Sequence, residues 1–269
     1  MKQVLSVQDL SCVGKCSLTV ALPVVSAMGC ACSVLPTTLL STHTGFPEPY
    51  RRSLTGDMDA VCDHWQKIGA DFDAVSVGYL CDPEQAAAVA RLLERFGGIR
   101  VIDPVMGDHG KLYRSITEAH VEAMRTLCRK GTVLLPNLTE AALLTGLPYR
   151  EQPTREQCRQ LLAGMEEFGA ETVILTGVSR QEELGFVGSH KGEEFSFFAP
   201  KVPRQCHGTG DLFAAVVTGA LVLGKTPSQA ATLAARFVAR VIQATKEATP
   251  FGVSFEGELP FLWQELHML

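Results

Sequence analysis

The chain has 269 residues, of which 46% are hydrophobic and 20% are charged, and its formal net charge is −5. This composition provides enough apolar material for a large folded core. The acidic balance, without any basic stripe, argues against a nucleic-acid-binding protein. The nine cysteines show no paired CxxC spacing typical of a structural zinc site, so we expect them to be reduced and to pack as small apolar side chains.

Short apolar segments alternate with segments of helical periodicity along most of the chain. Strands are predicted at residues 4–7, 32–35, 74–77, 100–102, 133–135 and 172–175. Helices are predicted between them at residues 17–28, 57–68, 84–96, 117–128 and 155–168. Strands at 184–188 and 194–198 are predicted to pair antiparallel, and helices at 212–223 and 228–243 follow. This order predicts an α/β fold with a mainly parallel central sheet, helices on both faces and a small antiparallel edge.

The sequence shows no linker, repeat or low-complexity segment, so we expect one domain over residues 1–269. Its first residues lead directly into a predicted strand, which argues against a signal peptide. No uninterrupted apolar stretch reaches the roughly 18 residues that a membrane span needs. We therefore expect a cytoplasmic protein without a membrane segment. The tail after Pro250 supports no prediction.

The most informative stretch is Gly208-Thr209-Gly210-Asp211, directly before the apolar run 212–223. Glycines let a ligand approach the backbone, and the free amides at a helix N-terminus bind anions. An acid beside such a phosphate site indicates a general base that accepts a proton from an attacking hydroxyl. Alternatively, Thr209 caps the helix and Asp211 only complements the helix dipole. The stretch by itself does not choose between the two.

Polar residues or glycines follow most of the predicted strands, at the edge where an open parallel sheet binds its ligands. They lie at residues 8–9, 41–45, 78–79, 103–108, 137–140 and 176–177. Asp103, Asp108 and Glu140 have no basic neighbour in sequence and are ligands of the kind that Mg²⁺ prefers, although each could instead cap a turn. His43 is predicted to have a polar role in its loop. The sequence motifs of P-loop nucleoside triphosphatases and of dinucleotide-binding dehydrogenases are missing.

Taken together, these motifs resemble a known family. The 208–211 stretch resembles the signature of the ribokinase-like kinases. Residues 103–108 (Asp-Pro-Val-Met-Gly-Asp) and 41–45 (Ser-Thr-His-Thr-Gly) resemble its vitamin B6 kinase branch, as do 78–79 and 136–140. The matches occur in family order from about residue 4 to residue 244. The resemblance implies a three-layer ribokinase-like fold, ATP-dependent phosphorylation of pyridoxal, pyridoxine or pyridoxamine, a need for Mg²⁺, stimulation by a monovalent cation such as K⁺, and a homodimer.

The resemblance also implies a role for each matched residue of the catalytic centre. Asp211 would be the base for the 5′-hydroxymethyl group of the vitamer. The backbone amides of Gly208, Thr209, Gly210 and Asp211 itself would hold the transferring γ-phosphoryl group. Asp103, Asp108 and Glu140 would organise Mg²⁺ and its waters around ATP.

The binding contacts implied by the resemblance lie on the same edge of the sheet. The further nucleotide contacts are Asn137, Thr176, Gln205, Cys206 and His207. Thr44 and Gly45 would meet the polar edge of the pyridine ring, and Tyr79 would pack on its face.

The sequence departs from the family pattern at two places. The first strand leads into Gln8-Asp9, where vitamin B6 kinases commonly have Gln-Ser. Asp9 would favour a cationic feature of the substrate, and Ser11 would take over the contact of the missing serine. Cys206 before the glycines resembles the hydroxymethylpyrimidine kinases, which commonly end the motif in Gly-Cys rather than Gly-Asp. Its thiol could add to the pyridoxal aldehyde or form a passive wall of the pocket.

Two alternative functions stay open. One is a kinase of hydroxymethylpyrimidine or of a small sugar, although the N-terminal segment is short and apolar for a sugar kinase. The other is a vitamer or nucleotide sensor without catalysis, against which Asp211 and the three carboxylates argue, since a sensor needs no base. The sequence does not rank the vitamers.

Overall fold

The computed structural model describes residues 1–204, 206–246 and 250–269. Its strands are β1 (Gln3–Val13), β2 (Ala31–Thr42), β3 (Arg51–Ser53), β4 (Ala74–Val77), β5 (Ile99–Ile102), β6 (Gly107–Asp108), β7 (Lys111–Leu112), β8 (Val133–Leu134), β9 (Thr172–Arg180), β10 (Glu183–His190) and β11 (Glu193–Pro200). Its helices are α1 (Leu18–Ala27), α2 (Thr55–Lys67), α3 (Pro83–Arg95), α4 (Glu118–Cys128), α5 (Leu138–Thr145), α6 (Arg155–Glu166), α7 (Thr209–Val222), α8 (Pro227–Ala244) and α9 (Leu259–Met268).

Nine of the strands form one sheet in the order β11-β10-β9-β8-β5-β4-β1-β2-β3. The six strands from β9 to β2 are parallel neighbours. Antiparallel strands extend both edges, with β10 and β11 on one side and β3 on the other. The mainly parallel sheet with a small antiparallel edge is therefore confirmed, and β6 and β7 form a separate hairpin.

The helices cover both faces of this sheet. Leu5 and Val75 point to the face covered by α2 to α6, whereas Val4 and Ala74 point to the face covered by α1, α7, α8 and α9. All four side chains are fully buried, as expected for parallel strands between two helical layers. The fold has three layers, as the family resemblance implies.

Strand β1 is longer than predicted and reaches Val13 instead of ending at residue 7. Its first half pairs with both β2 and β4, but beyond Val7 it pairs only with β2, with a register shift between Gln8 and Leu10. The extension places Asp9 and Ser11 beyond the carboxyl end of β4, at the edge of the sheet where a ligand is expected to bind.

Five short or terminal elements were not predicted from the sequence: β3, β6, β7, α5 and α9. The first three have two or three residues each, and α5 has eight, so none shows a readable period. Helix α9 lies in the tail for which no prediction was made. No helix within the described ranges is long and apolar enough to cross a membrane.

Candidate active site

A cleft of about 460 Å³ opens where β1, β2 and β4 end at the rim of the sheet. It brings together seven residues predicted to belong to the site: Asp9, Thr44, Gly45, Tyr79, His207, Gly208 and Asp211. The cleft is also lined by residues that were not predicted to belong to the site, among them Cys16, Ser17, Tyr113, Arg114 and Ser115. Cys16 and Ser17 were missed because β1 was expected to end six residues earlier, which hid that they follow its true carboxyl end.

The N-terminus of α7 forms one wall of the cleft. Gly208 is the N-cap with φ +84°, and no side chain caps the helix, so the alternative in which Thr209 is the cap is wrong. A Cβ on Gly208 would lie 2.2 Å from the carbonyl oxygen of Lys15, whereas a Cβ on Gly210 would meet nothing within 4 Å. The fold therefore requires glycine at Gly208, whereas no protein atom opposes a side chain at Gly210. The free amides of this helix start could receive an anion.

Asp211 lies in the first turn of α7 and lines the cleft. Burial raises the pKa of its carboxyl group to about 6, the backbone amide of Ser17 opposes this shift, and the negative charge of Asp9 adds to it. No lysine or arginine of the described chain forms an ion pair with Asp211. An unpaired carboxyl group with a pKa just below neutrality is suited to accept a proton from a substrate.

Asp103 and Glu140 form a pair of carboxyl groups beside this wall. Glu140 is 2% exposed and accepts hydrogen bonds from the amides of Met106 at 3.1 Å and Asn137 at 2.9 Å. Burial raises the pKa of Asp103, and the charge of Glu140 raises it further. Burial likewise raises the pKa of Glu140, against the effect of its backbone donors. Two neighbouring carboxyl groups with no basic partner among the described residues fit a bound cation.

Asp108 does not join this pair as a direct third ligand. Its side chain is exposed in the β6–β7 hairpin and accepts a hydrogen bond from the amide of His109 at 2.7 Å. In the part of the chain that the structure describes, no three Asp, Glu, His or Cys side chains are close enough to hold one metal ion. A magnesium ion here would therefore be held largely through waters, as Mg²⁺ commonly is.

Asn137, beyond the end of β8, lies beside Thr176 in the middle of β9, and a parallel bridge joins the two residues. Strand β9 continues to Arg180 instead of ending at residue 175 as predicted. The side-chain oxygen of Asn137 accepts from the amides of Thr139 at 2.8 Å and Glu140 at 3.0 Å, which caps α5. Its side-chain NH₂ donates to the carbonyl of Gly107 at 2.8 Å. Asn137 thus ties the β6–β7 hairpin to the start of α5, next to Glu140.

Of the three residues before Gly208, the two that the structure describes have different surroundings. Gln205 lies outside the described residues. Cys206 is half-buried against the apolar layer that contains α7 and α8, and it does not line the cleft. His207 does line it, and burial lowers the pKa of its imidazole. The cysteine that faces the cleft is Cys16, whose pKa is raised first by burial and then by the charges of Asp211 and Asp9.

His43 fastens the loop between β2 and β3 over the cleft. Its Nδ1 accepts a hydrogen bond from the amide of Gly45 at 3.2 Å, so its Nε2 carries the proton and donates to the carbonyl of Pro250 at 2.6 Å. Its ring lies 4.6 Å from that of His207. The predicted polar role of His43 in its loop is therefore confirmed, and the role is to join two segments distant in sequence.

On the opposite side, the Tyr79 hydroxyl lies 3.0 Å from Ser115 Oγ. This hydrogen bond fixes the aromatic ring at the wall of the cleft, next to the segment that follows β7. An aromatic face, histidines and backbone groups around a half-open cleft can hold a flat, polar, ring-shaped molecule.

Comparison with known proteins agrees with this geometry. The family model for phosphomethylpyrimidine kinase matches residues 22–255. A pyridoxine/pyridoxal/pyridoxamine kinase of Bordetella avium is 30% identical over 261 residues, covering 91% of this chain and 86% of that protein. A pyridoxal kinase of Arabidopsis thaliana is 31% identical over 195 residues, which are 66% of this chain and 61% of that protein's length. A Bacillus subtilis hydroxymethylpyrimidine/phosphomethylpyrimidine kinase is 31% identical over 64% of each chain.

Two solved structures superpose closely. The crystal structure of pyridoxal kinase from Lactobacillus plantarum has a TM-score of 0.90 at 32% identity and covers 98% of this chain and 97% of that chain. A Bacteroides thetaiotaomicron protein, provisionally assigned as a phosphomethylpyrimidine kinase and crystallised with pyridoxal, has a TM-score of 0.92 at 33% identity and covers 97% and 95%. This chain therefore belongs to the phosphomethylpyrimidine kinase family, and its resemblance to the vitamin B6 kinases is confirmed.

Proposed function

We propose that this protein transfers the γ-phosphoryl group of ATP to the 5′-hydroxymethyl group of a vitamin B6 vitamer: pyridoxal, pyridoxine or pyridoxamine. The observation that carries the proposal is the unpaired carboxyl group of Asp211 beside the uncapped N-terminus of α7. The names of the Bordetella avium and Lactobacillus plantarum relatives, and the pyridoxal in the Bacteroides thetaiotaomicron crystals, support the choice of vitamer.

In this mechanism Asp211 accepts the hydroxyl proton as the hydroxyl oxygen attacks phosphorus. A pKa of about 6 leaves the carboxyl group mostly ionised at neutral pH but still basic enough to take the proton. The free amides of Gly208, Thr209, Gly210 and Asp211 donate to the transferring phosphoryl group, whose charge is stabilised by the positive end of the α7 dipole. Proton acceptor and anion site are thus on the same helical turn.

The other site residues fit the same reaction. We propose that Thr44 and Gly45 contact the polar edge of the vitamer ring, that Tyr79 packs on its face, and that Asp9 and Ser11 belong to the neighbouring wall. We also assign nucleotide contacts to Asn137, Thr176, Gln205, Cys206 and His207. This assignment rests on the family resemblance, together with the bridge that places Asn137 and Thr176 side by side.

We further propose that Asp103, Asp108 and Glu140 hold Mg²⁺ through its waters. When bound, the ion would neutralise charge on the nucleotide phosphates. Stimulation by K⁺, assembly as a homodimer, and a single kinase domain over residues 1–269 are proposed from the family resemblance; two helical layers packed on one sheet support the single domain.

Phosphorylation of hydroxymethylpyrimidine is the second candidate, supported by the matching family model and the Bacillus subtilis relative. The motif ends in Asp211, where the resemblance gives hydroxymethylpyrimidine kinases a cysteine, and this favours a B6 vitamer. The test is ADP release from ATP over a panel of pyridoxal, pyridoxine, pyridoxamine, hydroxymethylpyrimidine and ribose. We expect turnover with at least one B6 vitamer to exceed that with the other two compounds. Turnover with hydroxymethylpyrimidine alone would transfer the assignment to the second candidate, and ATP or vitamer binding without turnover would indicate a sensor.

Replacing the proposed base gives the first prediction. Asp211→Asn should lower kcat by about 10²- to 10⁴-fold, the usual contribution of a general base, while ATP affinity stays equal or rises because one anion near the γ-phosphate is gone. Asparagine keeps the size of the side chain, so folding should survive. Steady-state kinetics, ATP titration and the melting temperature of this variant separate a base from a purely structural acid. A kcat close to that of the parent would remove the assignment.

The raised pKa of Asp211 predicts two pH effects. Because the ionised form is the base, kcat of the parent should fall about tenfold per pH unit below pH 6. Because the folded-state pKa lies above the ordinary value of 3.8, the ionised carboxyl group costs stability as the pH rises from about 4 to 6. The Tm of Asp211→Asn relative to the parent should therefore be higher at pH 7 than at pH 4. A pH-independent Tm difference would contradict the shift.

Two glycines offer a matched test of the phosphate site. Gly210→Ala should leave Tm unchanged or raise it, since alanine in a helix is favoured by up to about 1 kcal/mol. It should nevertheless raise KM for ATP or lower kcat, because its Cβ would crowd the phosphoryl group proposed to bind at this turn. Gly208→Ala should lower Tm, because of its positive φ and the Lys15 carbonyl. Parent-like kinetics in Gly210→Ala would show that no phosphate approaches this turn.

The proposed magnesium site predicts a selective change in metal dependence. Glu140→Gln should shift the Mg²⁺ concentration for half-maximal rate upward more than it shifts vitamer affinity, because it removes a charge from the Asp103 pair. Glu118→Gln, which removes an exposed carboxylate on α4, is the control for the loss of one charge. Identical Mg²⁺ titrations for Glu140→Gln and the parent would exclude Glu140 from the site.

A further inference from the structure

A second cavity, which we call the edge pocket, lies between α6 and the strands β9, β10 and β11 at one edge of the sheet. Four charged residues line it: Arg155, Arg159, Arg180 and Glu194. Its volume of about 280 Å³ is close to the lower end of the range for small-molecule pockets. Within the described part of the chain, no residue lines both this pocket and the cleft that contains Asp211. The edge pocket is therefore separate from the site of the proposed phosphoryl transfer.

The alternation of side chains along β11 places two polar groups at the edge pocket. Phe195 and Phe197 pack against the layer of α7 and α8, whereas Phe198 packs against the layer of α2 to α6. Glu194 and Ser196 follow the same period of two, so they share the face of Phe198, and both line the pocket. One wall of the pocket therefore carries a carboxylate and a hydroxyl group.

Helix α6 supplies the opposite wall. Its pocket-lining residues are spaced three and four apart and lie on one face of the helix: Arg155, Cys158, Arg159 and Leu162. Cys158 and Leu162 are buried and, with Val187 of β10, form an apolar floor. The two arginines continue the same face of the helix toward solvent. The pocket thus has an apolar floor and a basic rim.

Three guanidinium groups at this rim face one carboxylate. Arg159 donates to both oxygens of Glu194, from Nε at 2.6 Å and from Nη2 at 3.3 Å, and Arg155 lies 3.7 Å from the same carboxylate. Arg180 forms no ion pair with any residue that the structure describes. Its guanidinium group lies 3.9 Å from the centre of the Phe198 ring. Three arginines against one glutamate leave two positive charges in excess at the pocket, in a chain whose net charge is −5.

We propose that the edge pocket binds the phosphate group of a small molecule, either free phosphate or a phosphate monoester, with Arg159 and Arg180 as its charged donors. Stacking on Phe198 uses the face of the Arg180 guanidinium group and leaves its edge, which carries the N–H donors, for an anion. The planar arrangement of these donors matches two phosphate oxygens. The apolar floor accommodates the uncharged part of a monoester. Glu194 competes with this ligand, because it accepts from Arg159 when the pocket is empty.

A purely structural role explains this cluster less well. One arginine is enough to compensate the charge of Glu194, and exposed ion pairs stabilise a fold only slightly. Arg155 and Arg180 add positive charge that no lining carboxylate other than Glu194 offsets. A bound dianion balances the two excess charges.

Titration with inorganic phosphate tests the pocket directly. The Nε–H signals of its three arginines in ¹H–¹⁵N spectra, each assigned by its loss in the corresponding glutamine variant, should shift and reach saturation. Arg180→Gln should weaken phosphate binding about 10- to 100-fold through the loss of charge-assisted hydrogen bonds. Arg129→Gln is the matched control, since Arg129 also stacks on a phenylalanine ring, that of Phe168 at 5.1 Å, and lies outside the pocket. Shifts that do not saturate, or phosphate binding that Arg180→Gln leaves unchanged, would overturn the proposal.

The phosphate site and the structural role predict different results for Glu194→Gln. Removal of the competing carboxylate should tighten phosphate binding about threefold or more. Glu193→Gln, at the preceding exposed position of β11, is the control for the loss of one charge and should bind phosphate like the parent. Unchanged or weaker binding in Glu194→Gln would overturn the proposal, because Glu194 and the ligand would then not share the arginines. The substituted side chains are exposed or partly exposed, so folding should survive, and melting temperatures check this.

The same signals distinguish the sources of the phosphate group. The ligands compared are inorganic phosphate, ribose 5-phosphate and pyridoxine 5′-phosphate, which has no aldehyde that would react with lysines. Tightest binding of pyridoxine 5′-phosphate would support a site for the product of the proposed reaction, tightest binding of ribose 5-phosphate a site for sugar phosphates, and equal affinities a site for free phosphate. Binding of pyridoxine as tightly as its phosphate would overturn the proposal. Since no turnover is measured, the result is independent of whether the protein phosphorylates a vitamer.

Discussion

The site depends on one constraint, the burial of α7 from Leu212 to Ala220. Its residues Val216, Val217 and Ala220 have no exposed surface, because the helix lies between the sheet, α1 and α8. A helix segment without a polar face is stable only in the interior. The packing around it therefore fixes its position and its direction. Its uncapped N-terminus is consequently fixed at the rim of the sheet, and so is Asp211 in its first turn. The close approach of the Lys15 carbonyl to Gly208 follows from the same packing.

A second theme is a group of carboxyl groups with raised pKa in the cleft and next to it. Asp9, Asp103, Glu140 and Asp211 all have a raised pKa, first of all because of burial. None of them joins an ion pair with a lysine or arginine within residues 1–204, 206–246 and 250–269. Such an arrangement lowers stability and is uncommon away from functional sites. Such a group of carboxyl groups is suited to a reaction in which a bound cation neutralises negative charge and a carboxylate accepts a proton.

The loops around the cleft are joined by contacts between segments that are far apart in the sequence. His43 donates to the Pro250 carbonyl, the rings of Phe46 and Phe251 are 5.2 Å apart, and the Lys15 amide donates to the Phe251 carbonyl at 2.7 Å. Three loops therefore restrain one another before any ligand binds. This preorganisation reduces the ordering cost that substrate binding would otherwise carry.

The sequence by itself determined the alternation of strands and helices, the parallel sheet, the buried helix α7 and the Gly-Thr-Gly-Asp motif at its start. All of these are local patterns, in which apolar periodicity and glycine placement report the structure directly. Only the tertiary structure decided that Cys16 rather than Cys206 faces the cleft and that Asp103 and Glu140 meet while Asp108 stays exposed. It also decided that Asp9 is held by Ser17. These relations arise from the extension of β1 along β2 and from packing between segments distant in sequence, and no periodicity along the chain records them.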